Sequence, residues 1–274
     1  MDFNPHIKKL VKATIFRSMG LYTTIFRSMG LYSKLLVQIP FGVEWTRDLK
    51  YLLNDRKLEL VVDVGANIGQ TVSEVLKCFP ESCIYCFEPV PSTFERLTEQ
   101  TGKLSNVFPI NIALGERPSI LPMIAKPLAE QNTLVFDAEK AKNNDTKVVD
   151  VKVDTLDGFC SNNNINKINL LKVDTEGYEM NVLRGAERML SSSCIDYILI
   201  ECEFLKRKSN GPHGDFVEIL NYLKPFQYNV VAFYSAGVDR GGWVWGNVLL
   251  RRIDEDPGFV ALSPFRSRLP KSPG

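Results

Sequence analysis

The chemistry of this chain is concentrated in one short stretch. Val61-Val62 lead into Asp63, and Val64-Gly65-Ala66-Asn67-Ile68-Gly69-Gln70-Thr71 follow. An apolar strand, a glycine turn and the start of a helical pattern in immediate succession form a layout that presents a nucleotide-type ligand to a helix N-terminus. The dinucleotide fingerprint needs a second glycine so that a pyrophosphate can approach the backbone. Here Asn67 and Gln70 stand where the second and third glycines would be, and no Gly-Lys-Ser/Thr follows to make a P-loop. A carboxylate at Asp63 would repel a pyrophosphate but can accept hydrogen bonds from an ammonium or hydroxyl. The loop therefore suits a phosphate-free ligand carrying an amino-acid group and a sulfonium, such as S-adenosylmethionine. A tight strand-to-helix turn with no ligand is the plain structural alternative.

The other carboxylates fall at strand ends. Glu88 closes the second strand, Asp174 and Glu176 close a later one, and Glu201 and Glu203 close its neighbour. In open α/β sheets ligands bind outside those carboxyl ends. Asp174, Glu176 or Glu201 could take a proton from a hydroxyl acceptor. Several together could instead hold a divalent cation through oxygen. Direct base catalysis is preferred and no metal site is assigned, because the ligand set is not diagnostic. His213 reads as an ordinary loop histidine, and Lys172 is given no role.

Those residues need elements to position them. Leu58–Val64, Cys83–Phe87, Val107–Leu114, Asn166–Asp174 and Ile195–Cys202 read as strands. Helices are expected over Gly69–Phe79, with Val72, Val75, Leu76 and Phe79 inward, and over Glu179–Leu190, with Val182, Leu183, Ala186, Met189 and Leu190 inward. Ser92 and Glu95 suggest a capping box, which would leave Glu88 free for a ligand. A short helix is expected at Thr155–Cys160, and another at Asp215–Leu223 with Asp215 as its cap. The span 116–153 is less regular, with β-like runs at Ile120–Ile124, Thr133–Phe136 and Lys147–Val153. Gln227–Tyr234 and Trp243–Leu250 are separated by a short Gly-containing join and read as an antiparallel hairpin. The expected fold is a doubly wound, mostly parallel sheet with helices on both faces and a C-terminal antiparallel hairpin.

Composition narrows the partners. The 274 residues are 45% hydrophobic and 24% charged with net charge +1, an ordinary globular balance that gives no reason to expect nucleic acid. No uncharged apolar run reaches the ~20 residues of a bilayer span, and no secretory segment is expected, so the chain is placed in the cytoplasm. The six cysteines read as small buried hydrophobes; Cys83 and Cys86 lack a second pair to complete a metal set. Residues 1–45 form a basic amphipathic extension in which Thr14–Tyr22 recurs unchanged as Thr24–Tyr32. Residues 1–40 could lie on an anionic membrane or on a partner, or simply cover the core, which is the preferred reading. Residues 46–253 form the folded domain, and 254–274 a loose Pro-, Ser- and Arg-containing tail.

With its motifs in order, the chain resembles the FkbM family of S-adenosylmethionine-dependent methyltransferases. The resemblance rests on Val62–Gly69, Phe87–Pro91, Asn111–Gly115, Val153–Asp157, Leu171–Glu179 with Val182–Ala186, and Ile200-Glu201. It implies a class I methyltransferase sheet of seven strands, S-adenosylmethionine as cofactor, and O-methylation of a hydroxyl on a sugar, glycan or small metabolite. Within it, Gly65 and Gly69 would admit the cofactor, with Asp63 at its amino-acid end and Asn67 between. Glu88 would accept from the ribose hydroxyls, and Asn111 and Ile112 would line the adenine side. A nicotinamide-dependent oxidoreductase of the same sheet type, and a non-catalytic module, are the competing readings.

Overall fold

The computed structural model describes residues 41–125, 133–134, 147–204 and 214–253. The duplicated extension up to residue 40, His213 and the tail from residue 254 lie outside the described residues. Alternation along the chain builds β1 (Leu60–Val64), α2 (Gln70–Cys78), β2 (Cys83–Phe87), α3 (Pro91–Thr101) and β3 (Val107–Ile110), preceded by α1 (Trp45–Leu53). After a second sheet come α4 (Leu156–Asn162), β8 (Ile168–Val173), α5 (Glu179–Arg184), α6 (Glu187–Ser191), β9 (Ile195–Glu203), α7 (Phe216–Leu223), β10 (Tyr228–Asp239) and β11 (Gly242–Arg252).

The main sheet has seven strands in the order β10-β11-β9-β8-β1-β2-β3. β11 pairs antiparallel with both β9 and β10, while β9, β8, β1, β2 and β3 run parallel. The expected doubly wound sheet with a reversed hairpin is the observed one. Strand alternation sends Val61, Leu170, Leu199 and Leu249 to the face covered by α1, α2 and α3. Val62, Leu171, Ile198 and Val248 go to the opposite face, under α4 to α7. Both layers of apolar side chains are removed from water, which is the main term holding helices to sheet. The described cysteines are free thiols. Among the described residues no helix is long and apolar enough to cross a membrane.

Three local expectations are corrected. Val107–Leu114 is two strands: β3 ends at Ile110, and Ala113–Leu114 (β4) joins a second sheet. That sheet, ordered β4-β7-β5-β6, is built from β5 (Ser119–Ala125), β6 (Thr133–Leu134) and β7 (Lys147–Asp154), the irregular runs of the sequence. The helix expected over Glu179–Leu190 breaks between α5 and α6 at Gly185 and Ala186. A Cβ on Gly185 would lie 1.9 Å from the Gly115 carbonyl oxygen, so the chain turns where the two backbones touch. Its five predicted inward residues are nonetheless all buried. Finally, no capping box starts α3. Pro91 takes the first helical position, where its fixed φ suits the helix and its missing N–H is no loss. Ser92 thus falls one position inside, and the carboxylate that receives the Val90 N–H is Glu88. The Asp215 cap, by contrast, forms as expected, accepting from the N–H groups of Val217 and Glu218 at 2.9 and 3.0 Å.

Candidate active site

A cavity of about 380 Å³ opens at the carboxyl edge of β1, β2, β8 and β9. The loop after β1 forms one wall. The N–H groups of Gly65 and Ala66 both donate to the Phe87 carbonyl at 3.0 Å, pinning the loop to the end of β2. Gly65 has φ +81°, and a Cβ there would sit 1.8 Å from the Asp174 carbonyl oxygen. Gly69, at φ +96°, caps α2, and its nearest neighbour would be Leu97 on α3 at 3.2 Å. Both glycines are expected from the sequence to admit a ligand; the atoms that exclude a side chain there are the protein's own.

Asn67 adopts φ +51° and donates its N–H to Glu88 Oε2 at 3.0 Å. Its side-chain oxygen is buried and has no hydrogen-bond partner among the described residues. Asn67 lines the cavity, so a ligand donor can satisfy that oxygen. Glu88 is buried beside it, and its other oxygen accepts from the Val90 N–H at 2.9 Å. A carboxylate oxygen has a second lone pair, so both oxygens can still accept from a ligand. Burial pushes the Glu88 carboxyl up to about 7, although the N–H groups of Val90 and Asn67 pull it down. Asn111 and Ile112 do not line the cavity. Instead Asn111 Nδ2 donates to the carbonyls of Glu88 at 2.9 Å and Pro89 at 3.1 Å, bracing the turn that carries Glu88.

Asp63 is fully buried and does not line the cavity. Its register partner on β8 is Lys172, whose ammonium lies 3.5 Å from Asp63 Oδ1 and 3.1 Å from Asp174 Oδ2. Lys172 and Thr71, both neighbours of Asp63, do line the cavity, so Asp63 can act on a ligand through them. Burial drives the Asp63 carboxyl up, against the pull of Lys172. At Asp174 burial also works upward, but Lys172 and a hydrogen bond from Glu201 outweigh it and hold the carboxyl below its usual range. Glu201 is raised by burial and by the Asp174 charge, and so keeps a proton that it donates to Asp174. Lys172 is the residue that the sequence reading passed over. Residues i and i+2 of a strand share a face, so Lys172 and Asp174 belonged together.

Asp174, Glu176 and Glu201 each bring one oxygen within 4.8 Å of the others. They are close enough to share a cation, and the Lys172 ammonium already supplies positive charge at Asp174. Glu203 lies beyond this group and does not line the cavity. A second residue missed from the sequence is Glu179. Its Oε1 accepts from Thr175 N–H, Thr175 Oγ1 and Gly177 N–H at 3.0 Å each, and its Oε2 accepts from Gly214 N–H at 3.1 Å. One buried carboxylate thus shapes the loop that presents Glu176. Trp45, Tyr234 and Asn247 complete the far wall. Among the described residues lining the cavity, Lys172 is the one cation, set against Glu74, Glu88, Asp174, Glu176 and Glu201.

A model of the methyltransferase FkbM domain matches residues 63–230. The hexuronic acid methyltransferase AglP of Haloferax volcanii is 28% identical over 155 residues, covering 56% of this chain and 60% of that protein. The 2-O-methyltransferase NoeI of Sinorhizobium fredii is 25% identical over 203 residues, covering 70% of this chain and 79% of that one. The chain thus spans about three fifths of the length of the first of these relatives. The solved structure of a SAM-dependent methyltransferase from Aquifex aeolicus aligns with 74% of this chain and 89% of its own, at 15% identity and a TM-score of 0.38. The matched segment begins at Asp63 and takes in Glu88, Asp174, Glu176 and Glu201, and by that match the chain belongs to the FkbM methyltransferase family.

Proposed function

We propose that the protein is an S-adenosylmethionine-dependent O-methyltransferase acting on a hydroxyl of a carbohydrate. The observation that carries this reading is the charge of the cavity: among the described residues five acidic side chains line it, of which Glu201 keeps its proton, and the one lining cation is engaged by Asp63 and Asp174. Such a lining repels a diphosphate, which argues against a nicotinamide dinucleotide, and attracts a ligand carrying an ammonium and a sulfonium. The donor set fits S-adenosylmethionine in a second respect, because Asn67 Oδ1 is an unsatisfied acceptor on the wall. Glu88 and Asn67 would hold the ribose and amino-acid portions. The bound cofactor supplies a methyl group on a cationic leaving group. The carbohydrate acceptor is suggested by the relatives that methylate hexuronic acid or act as a 2-O-methyltransferase.

The chain's own residues then have to orient the hydroxyl and take its proton. Glu201 is protonated near neutral pH and serves as a donor. Asp174 is ionised but occupied by Lys172 and Glu201. In this reading Glu176, on the loop shaped by Glu179, accepts the proton, and the Asp174–Glu201 pair orients the hydroxyl. The test is direct. Purified protein should bind S-adenosylhomocysteine and transfer labelled methyl from S-adenosylmethionine to hexuronic-acid-containing glycans. Absence of S-adenosylhomocysteine binding would refute the cofactor assignment, and binding without transfer to any carbohydrate would refute the acceptor class.

A further inference from the structure

We propose that Trp245 is a stacking platform for a second sugar ring, so that the acceptor is held as a glycan and not by its reacting unit alone. The proposal rests on the carbohydrate reading above and deepens it. β11 pairs with β9 without interruption from Trp245, which lies opposite Glu203, to Asn247, which lies opposite Glu201. Alternation puts Trp245 and Asn247 on one face of the strand. Asn247 and Glu201 line the cavity, and Trp245 stands two residues farther toward the rim, roughly 7 Å at the strand rise.

The indole is held in place and open. It is 45% exposed, an unusual amount for a tryptophan. Its neighbour on β10 is Gly237, where a Cβ would lie 2.3 Å from the indole Nε1 and 2.6 Å from Cε2. One part of the ring therefore rests on bare glycine backbone, which fixes its orientation before any ligand arrives. Trp243 differs. A register shift between Gly237 and Val238 separates the two tryptophans, and Trp243 packs against Phe204 and Phe233 with ring centroids 5.9 and 5.7 Å apart. Trp245 enters no ring contact of that kind among the described residues. The C–H face of a pyranose carries slight positive charge and meets the negative face of an indole favourably. Across the ladder, the carboxylate of Glu203 is of the type that accepts hydrogen bonds from sugar hydroxyls.

The experiment compares methyl transfer to monosaccharides and to matching tetrasaccharides, using hexuronic acid and N-acetylhexosamine series with labelled S-adenosylmethionine. The wild type should favour the tetrasaccharide in kcat/KM by about tenfold, the scale of one good aromatic contact. Trp245→Ala should bring that ratio to about one, and Trp245→Tyr should restore most of it. A ratio left unchanged by Trp245→Ala would overturn the proposal. So would a loss of both substrates in parallel with a lowered Tm, since that marks a tryptophan that only covers Gly237. If S-adenosylhomocysteine binds but no carbohydrate in either series is methylated, the carbohydrate reading fails and the platform with it.

Discussion

Replacing Lys172 by Met should expose how the sheet tolerates Asp63. Asp63 is fully buried, and the Lys172 ammonium is the positive charge facing it at 3.5 Å. Removing one partner of a buried ion pair typically costs about 3–5 kcal/mol, because the other charge stays without compensation. The carboxylate can escape by taking a proton. At pH 7 that costs about 4 kcal/mol, some three pH units above the ordinary Asp value at 1.36 kcal/mol each, and at pH 5 only about 1.5. Because burial already raises Asp63 in the wild type, these costs are upper bounds, and Lys172→Met should lose up to about 3–4 kcal/mol at pH 7 and up to about 1.5 at pH 5. The sign follows from proton linkage. In the variant the folded-state carboxyl lies above its unfolded value, so the folded chain binds more protons between the two, and stability falls as pH rises through that interval. For a domain of this size the Tm should drop by up to roughly 6–16 °C at pH 7. Adding Asp63→Asn should return most of the loss, since the buried group is then neutral. Urea denaturation of the four species at pH 5 and pH 7 closes the cycle. A loss under about 1 kcal/mol at pH 7, or no recovery in the double variant, would show that Asp63 does not depend on Lys172.

Four further outcomes follow from the same geometry. With the Glu88 carboxyl near 7, S-adenosylhomocysteine should bind about tenfold more tightly at pH 8 than at pH 6, because ligand hydroxyls favour the ionised form; Glu88→Gln should bind weakly and show a flat profile by calorimetry. Glu176→Gln should bind S-adenosylhomocysteine normally and lose on the order of 10²–10⁴ in kcat, the range of a lost general base; a full-rate variant would remove it from that role. Glu179→Gln deprives at least one of four donors of its acceptor and should lower stability by about 1–3 kcal/mol in urea denaturation. Gly65→Ala combines a positive φ with a Cβ 1.8 Å from a carbonyl oxygen, and should lose at least about 3 kcal/mol or fail to accumulate as folded protein.

Much of this was legible in the residues, for identifiable reasons. The parallel strands were visible because strands buried on both faces are apolar runs, and the hairpin because its join is short. Glu88 and the Asp174, Glu176 and Glu201 group were visible because carboxylates at strand ends stand out against those runs. What escaped depends on contacts between distant segments. The helix break at Gly185 depends on Gly115, seventy residues earlier, whose carbonyl occupies the space a side chain would need. The second sheet is assembled from short strands with intervening polar sequence, too weak a pattern to read alone. Asp63 looked like a ligand contact because its neighbour across the sheet was not apparent in the linear order; only the register puts Lys172 beside it.

The touching backbones of Gly115 and Gly185 have a further consequence. Gly115 is also where a side chain would strike Tyr178 at 2.8 Å and Val153 at 2.9 Å. The small sheet is thus fixed at its root to the body of the domain, at two positions where the neighbouring atoms leave room only for glycine. From that root β5 and β7 stay paired out to Ala125 and Lys147 at the opposite end of the ladder. Two glycines thus fix one end of the small sheet, and a side chain at either would have to displace that end from the helix pair it rests on.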